Sequence, residues 1–312
     1  MEENLLRLFP AQHREIWQKA VKMGGLQEIR LRVGKPTMII TQEGEWVISQ
    51  SGEIGKNMNN AYRISDKELL QILQHICHYS VYAFEDEIRQ GFITISGGHR
   101  VGITGQVVLN EDKVHTIKNI SCMNIRVSHQ IKGAADSVLP FLYKKGELMN
   151  TLILSPPGCG KTTILRDLIR QVSDGNRYGE GKCVGVVDER SEIAGCFQGI
   201  PQNDVGMRTD VLDGCPKKLG MMMLLRSMSP KVIAVDEIGS RQDMEALHTV
   251  SGCGCKILAT MHGTGIEEVR KKSGMDEVLR ENLFERFVIL GRKNGRFCIE
   301  EICEGGKLWS KD

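Results

Sequence analysis

Apolar positions recur along this chain with two different periods. Trp17, Ala20 and Val21 fall on one helical face, and residues 1–25 read as helical up to Gly24 and Gly25. Residues 28–33 then alternate, with Ile29, Leu31 and Val33 on one side and Arg30 and Arg32 on the other, as in a half-buried strand. Residues 37–41 and 45–48 predict a hairpin around Glu43 and Gly44, followed by a polar loop over 49–60. Ser65 and Glu68 form a capping-box pair ahead of an amphipathic helix over 69–76. Strands are expected at 92–95, 100–108 and 124–128, the first two joined through Gly97 and Gly98. Residues 1–130 therefore predict an N-terminal α+β domain.

After residue 150 the pattern changes. Short apolar runs at 151–154, 184–187 and 232–235, with a further strand at 256–260, alternate with helical stretches at 164–169, 219–226 and 243–250. Such runs are buried strands, and their alternation with helices predicts a largely parallel sheet covered on both faces. Met221, Met222 and Met223 read as core on one of those helices. Residues 131–150 predict a linker containing a short helix over 134–143. Residues 151–312 form the second domain, which ends in a hairpin turning at Asn294 and Gly295.

The first unbroken run leads into Ser155, Pro156, Pro157, Gly158, Cys159, Gly160, Lys161, Thr162 and Thr163, and then a helix. Strand, glycine-rich turn and helix together are the context of a phosphate-binding loop. Backbone N–H groups around Gly158, Cys159 and Gly160 can curl into an anion nest, and the helix start adds its unpaired donors. Lys161 would reach the β- and γ-phosphates of ATP and the Thr162 hydroxyl would bind Mg²⁺. Ser155 stands where the usual pattern has its first glycine.

Ligands of open parallel sheets bind beyond the carboxyl ends of the strands. The other runs end in polar groups there: Asp188, Glu189 and Glu192; Asp236 and Glu237; and His262. Asp236 is placed as a magnesium-associated carboxylate and Glu237 as the group that polarises an attacking water. Alternatively, Asp236 and Glu237 could be a helix-capping acid pair, the acids at 188–192 a solvated loop, and His262 a loop histidine. Arg100, Arg126, Arg208, Arg226 and Arg241 are candidates for the positive charge that phosphoryl transfer needs.

Composition narrows the partners. The 312 residues carry 41 basic and 39 acidic side chains, and aromatics are 5%. Neither a global positive field nor stacking platforms for nucleic acid are evident. The acidic start at Glu2 and Glu3, and the lack of any apolar run near the roughly 18 residues of a membrane helix, predict a cytoplasmic protein. The ten cysteines are scattered and read as free thiols, with Cys253 and Cys255 the one close pair. His75 and His78 lie at ligand spacing but lack further ligands.

With those residues placed, the second domain resembles the secretion-type traffic ATPases of type II secretion, type IV pili and type IV secretion. The acids at 188–192, the arginine-containing approach at 225–233 and the histidine box at 258–262 carry the likeness, as do residues 29–36 of the first domain. Residues 205–216 and 226–239 resemble more closely the stage III sporulation AA family. Gly239 stands where the motors usually have arginine, Asp236 replaces their glycine, and no cysteine-rich zinc insertion is present. The resemblance implies an α/β fold, a RecA-like P-loop NTPase core with a smaller N-terminal α+β domain. It also implies ATP hydrolysis with Mg²⁺, with Lys161, Glu189, Arg226, Glu237 and His262 catalytic and Arg100 and Arg126 reaching a neighbouring subunit's nucleotide.

It further implies a homo-oligomer, a hexameric ring, peripheral to the membrane on the mother-cell side. Its partners would be membrane proteins of the mother cell–forespore channel, and no nucleic acid is expected. A nucleic-acid-dependent P-loop ATPase and a non-hydrolysing ATP-gated scaffold remain alternatives.

Overall fold

The computed structural model describes residues 5–272, 274–293 and 296–305. The chain divides into two compact units. The first is Met1–His129 with Gly195–Gln198, and the second is Gln130–Ala194 with Gly199–Asp312, so residues 131–150 group with the second.

The first unit is built on an antiparallel sheet of seven strands. They are β1 (Leu26–Arg32), β2 (Met38–Thr41), β3 (Gly44–Ile48), β4 (Ile54–Gly55), β5 (Phe92–Ile95), β6 (His99–Asn110) and β7 (Lys113–Arg126), in spatial order β4-β3-β2-β1-β7-β6-β5. Ile29, Leu31, Ile39, Val101 and Ile125 bury one face against α1 (Arg14–Val21), α2 (Asp66–Ile76) and α3 (Glu85–Arg89). The helix expected over 1–25 is interrupted among the described residues: Leu5 and Leu6 are helical, residues 7–10 are not, and Arg14–Val21 is a separate helix. Pro10 cannot continue a hydrogen-bonded turn, and a 3₁₀ turn over Ala11–His13 separates it from α1. Ser65 caps α2 through the reciprocal bonds with Glu68 that its spacing predicts. Between the expected strands at 100–108 and 124–128 runs a long ribbon. Strands β6 and β7 extend to a two-residue turn at Glu111 and Asp112, both left-handed with φ 46° and 63°. Its outer half is largely exposed, so its alternation is weak in the sequence.

The second unit begins with a small hairpin, β8 (Tyr143–Lys144) and β9 (Glu147–Leu148). The helix expected over 134–143 is a series of turns with only a 3₁₀ segment, Leu139–Phe141. Pro140 lies within that segment, and the Ala135 N–H donates instead to the Asp167 carboxylate at 3.0 Å. The second sheet follows: β10 (Thr151–Ser155), α4 (Lys161–Asp174), β11 (Val184–Asp188), β12 (Thr209–Asp213), α5 (Lys217–Ser227), β13 (Val232–Val235), α6 (Arg241–Gly252), β14 (Lys256–His262), α7 (Ile266–Arg270), α8 (Met275–Arg280), β15 (Arg286–Lys293) and β16 (Arg296–Glu304). The order is β12-β11-β13-β14-β10-β15-β16, with every pairing parallel except the antiparallel one between β15 and β16. The terminal hairpin is present, and its turn at Asn294 and Gly295 lies outside the described residues. Strands β10, β11 and β13 are buried at every position, which is why they read as unbroken apolar runs. Their carboxyl ends come together at the centre of the sheet, since β13, β14 and β10 are adjacent.

Candidate active site

The loop between β10 and α4 holds Gly158 and Gly160 at φ 74° and 81°, conformations that a side chain would oppose. Gly160 is the N-cap of α4 and supplies no side-chain bond, so the helix start keeps its outward N–H donors. Ser155 is fully buried, pairs with His262 across β10 and β14, and donates to the Pro156 carbonyl at 2.8 Å. Cys159 is buried, while Pro156, Pro157, Thr162 and Thr163 are partly or fully exposed.

Lys161, Glu237 and His262 meet directly. Lys161 Nζ lies 3.0 Å from His262 Nδ1 and 3.7 Å from Glu237 Oε1. His262 Nε2 lies 2.6 Å from the same carboxylate oxygen. Lys161 Nζ also lies 3.2 Å from His262 Nε2, so the ammonium faces both ring nitrogens while Glu237 meets only one of them. Burial alone would raise the Glu237 pKa. The His262 bond, with Arg190 and Lys161 nearby, instead holds it below the ordinary glutamate value.

A second network holds Asp236. The Thr162 hydroxyl donates to Oδ2 at 2.5 Å, and the hydroxyl of Thr260 and the backbone N–H of Glu237 donate to Oδ1. Thr260 lies two residues before His262, fully buried, and its oxygen also accepts from the Glu237 N–H at 3.0 Å. Glu237 itself adopts φ 52°, a left-handed conformation that costs a glutamate about 1 kcal/mol or more. The two bonds from its N–H fix that conformation and aim its side chain back at Lys161 and His262.

The acids at 188–192 do different things. Asp188 is buried and accepts from the backbone N–H groups of Glu192, Ile193 and Ala194 at 2.8–3.0 Å, shaping the loop rather than facing solvent. Burial outweighs those bonds and raises its pKa. Glu189 pairs with Lys217, and both line the cleft shared with Asp236 and Glu237. Arg190 joins Glu237 at 2.6 Å. Arg166, buried on α4, donates to the Ile193 and Glu192 carbonyls at 2.6 and 2.5 Å and ties the loop to the helix.

Arg226 is exposed near the carboxyl end of α5, and the structure does not bring it to this cluster. Arg100 and Arg126 belong to the first unit, where they are register partners on β6 and β7. The Arg100 guanidinium sits 3.4 Å from the Phe92 ring centroid, and Arg126 pairs with Glu28 at 3.6 Å.

The sequence reading missed Arg166, Arg190 and Thr260. A charged residue within the apolar stripe of α4 was a signal for the first. Nothing in the sequence paired Arg190 with Glu237, which lies 47 positions away. Among the described residues no three His, Cys, Asp or Glu side chains form a metal cage.

The sequence profile described as "Sporulation stage III, protein AA" matches residues 1–305. This chain belongs to that family. Within it, Stage III sporulation protein AA of Bacillus subtilis (strain 168) is 39% identical over 277 residues, spanning 89% of this chain and 86% of the relative. Two solved structures share the fold. The Legionella pneumophila ATPase DotB superposes with a TM-score of 0.57 at 16% identity, over 96% of this chain and 82% of that one. The pilus retraction motor PilT with bound ADP gives 0.61 at 15%, over 93% and 82%. The fold class expected from the sequence, a RecA-like core with an N-terminal domain, is thus the fold of this sporulation family member.

Proposed function

We propose that this chain is a Mg²⁺-dependent ATPase of the secretion-motor type, working in sporulation. The observation that carries this reading is the convergence of Lys161, Thr162, Asp236, Glu237 and His262 at adjacent strand ends around a phosphate-type loop. The residues fit the ligands. Open space stands where a Gly158 side chain would project, as a loop needs if its backbone is to approach a phosphate. Thr162 and Asp236 offer one hydroxyl and one carboxylate, a donor set that suits Mg²⁺ completed by phosphate oxygens and water. Bound there, Mg²⁺ would neutralise charge developing on the phosphates.

In this reading the N–H groups of residues 158–162 and the Lys161 ammonium hold the β- and γ-phosphates. Glu237 accepts a proton from water as the water oxygen bonds to the γ-phosphorus. The bond from that phosphorus to the β–γ bridging oxygen breaks, leaving ADP and phosphate. His262 orients Glu237, and Thr260 holds both acids in register. Glu189 belongs to the cleft wall. Arg226, Arg100 and Arg126 would supply charge from a neighbouring subunit of a homo-oligomeric, hexameric ring. Residues 1–130 form its N-terminal domain and 151–312 its motor domain, with 131–150 packed as part of the motor unit. The ring would sit on the cytoplasmic, mother-cell side of the membrane, against membrane proteins of the mother cell–forespore channel. Among the described residues no helix is long and apolar enough to cross a membrane.

Steady-state ATP hydrolysis across protein concentration, with and without DNA, tests this. Turnover should need Mg²⁺ and fall at least about 100-fold in Lys161→Ala and in Glu237→Gln. Unchanged turnover in both variants would overturn the site. DNA stimulation of a concentration-independent monomer would overturn the secretion-motor reading.

A further inference from the structure

Glu237 is a meeting point for three donors. His262 and Lys161 approach one carboxylate oxygen, and Arg190 Nη1 lies 2.6 Å from the other. Lys161 and His262 are groups that a terminal phosphate would claim. Arg190 stands among acids, yet its neighbours in sequence are engaged elsewhere: Asp188 by backbone N–H groups and Glu189 by Lys217. The same partner carboxylate lies 3.7 Å from the phosphate-loop lysine, so the guanidinium sits within one carboxylate's span of that lysine. The Arg190 side chain is 61% exposed, and its head can move without unpacking a core. Glu237 is only 25% exposed and is pinned by its backbone bonds, so in any rearrangement the arginine is the mobile member.

We propose that Arg190 is a terminal-phosphate ligand held in reserve by Glu237, exchanging carboxylate for phosphate when a triphosphate enters. The proposal rests on the ATPase reading above and adds a discrimination to it. A phosphate carries more charge than a carboxylate and presents several oxygens to the planar guanidinium, so the exchange favours the phosphate. No covalent bond changes. The exchange leaves one Glu237 oxygen open to water only when a third phosphate is present. A diphosphate lacks the group that recruits Arg190, and Glu237 stays engaged.

The test is equilibrium binding of Mg²⁺ with ADP and with a non-hydrolysable ATP analogue. It uses the full chain as wild type, Arg190→Gln, Arg190→Lys, Glu237→Gln and the Arg190→Gln/Glu237→Gln double variant. Arg190→Gln should weaken the analogue about tenfold, the scale of one charge-assisted bond, and leave ADP within about twofold. Arg190→Lys should recover part of the loss, since it keeps the charge without the planar fork. Glu237→Gln should tighten the analogue in the wild-type background and have no such effect once Arg190 is gone, because the restraint acts through the pair. ADP binding also reports that each variant is folded. Equal effects on both nucleotides, or none, overturn the role of Arg190 while leaving the ATPase reading intact. Wild-type protein that binds neither nucleotide overturns both.

Discussion

Two seven-stranded sheets in one chain bury their side chains in opposite ways, and that difference decides where chemistry can sit. In the parallel sheet, β10, β11 and β13 are buried at every position, so polar groups are confined to the strand ends. There they cluster: Asp188, Asp236 and His262 each close or follow a strand, and the phosphate-type loop follows β10. In the antiparallel sheet, β1 and β2 alternate buried and half-exposed residues. Its polar side chains are spread across a whole face, where Arg30 stands inside β1 and Arg126 and Arg100 are paired across β7 and β6. A sheet covered on both sides focuses function to an edge, whereas a sheet covered on one side offers an extended surface.

The largest expected effect probes the covered sheet. Ile233 in β13, an inner strand between β11 and β14, is fully buried. Ile233→Ala should cost about 3–4 kcal/mol in denaturant unfolding, transfer and cavity terms together. A loss below about 1 kcal/mol would mean that this strand is not packed on both faces, and the contrast between the sheets would fail.

The next effect lies on the buried face of the other sheet. His99 opens β6, is 1% exposed and accepts from the Ser128 N–H at 3.1 Å. Burial, with His129 nearby, depresses its pKa from 6.5 to about 4. Above pH 6.5 the folded and unfolded chains both carry it neutral, and its contribution to stability is fully present. As pH falls from 6.5 towards 4 the unfolded chain takes up a proton that the folded chain refuses, so stability is lost. The loss should reach about 3 kcal/mol at pH 4, where the slope ends. His99→Gln keeps an acceptor without titrating and should flatten that slope. Amide exchange in peptides covering β1 and β6 measures it, and equal acid sensitivity in both proteins would show that His99 is not the cause.

The same contrast explains what could be read in advance. Unbroken apolar runs exposed β10, β11 and β13, and a residue following such a run must lie at a strand end, so Asp236 and Glu237 were placed together. Strand β12 was missed because it is half-exposed and reads Thr209-Asp210-Val211-Leu212-Asp213. The phosphate-type loop was legible because its backbone conformation needs glycine at fixed positions. The Glu237 partnership with Arg190 and the anchoring by Thr260 were not, since both join distant strand ends that only the folded sheet order brings near. Periodicity overran the first helix because it ignored Pro10, and the outer β6–β7 ribbon was lost because exposed strands have little reason to alternate.

The smallest expected effect tests the open face. Arg126 is 61% exposed and pairs with Glu28 at 3.6 Å, while Arg30 holds the same carboxylate at 2.7 Å. Removing Arg126 therefore leaves Glu28 with a nearer cation and strands no buried charge. An exposed pair of this kind is worth about 0–1 kcal/mol, and with a second arginine in place Arg126→Ala should change stability by no more than about 0.5 kcal/mol. Urea unfolding followed through the first unit would decide it. A loss above about 1 kcal/mol would mean that the arginine face is part of the packing after all, and the distinction between a face that stabilises and a face left open to partners would collapse.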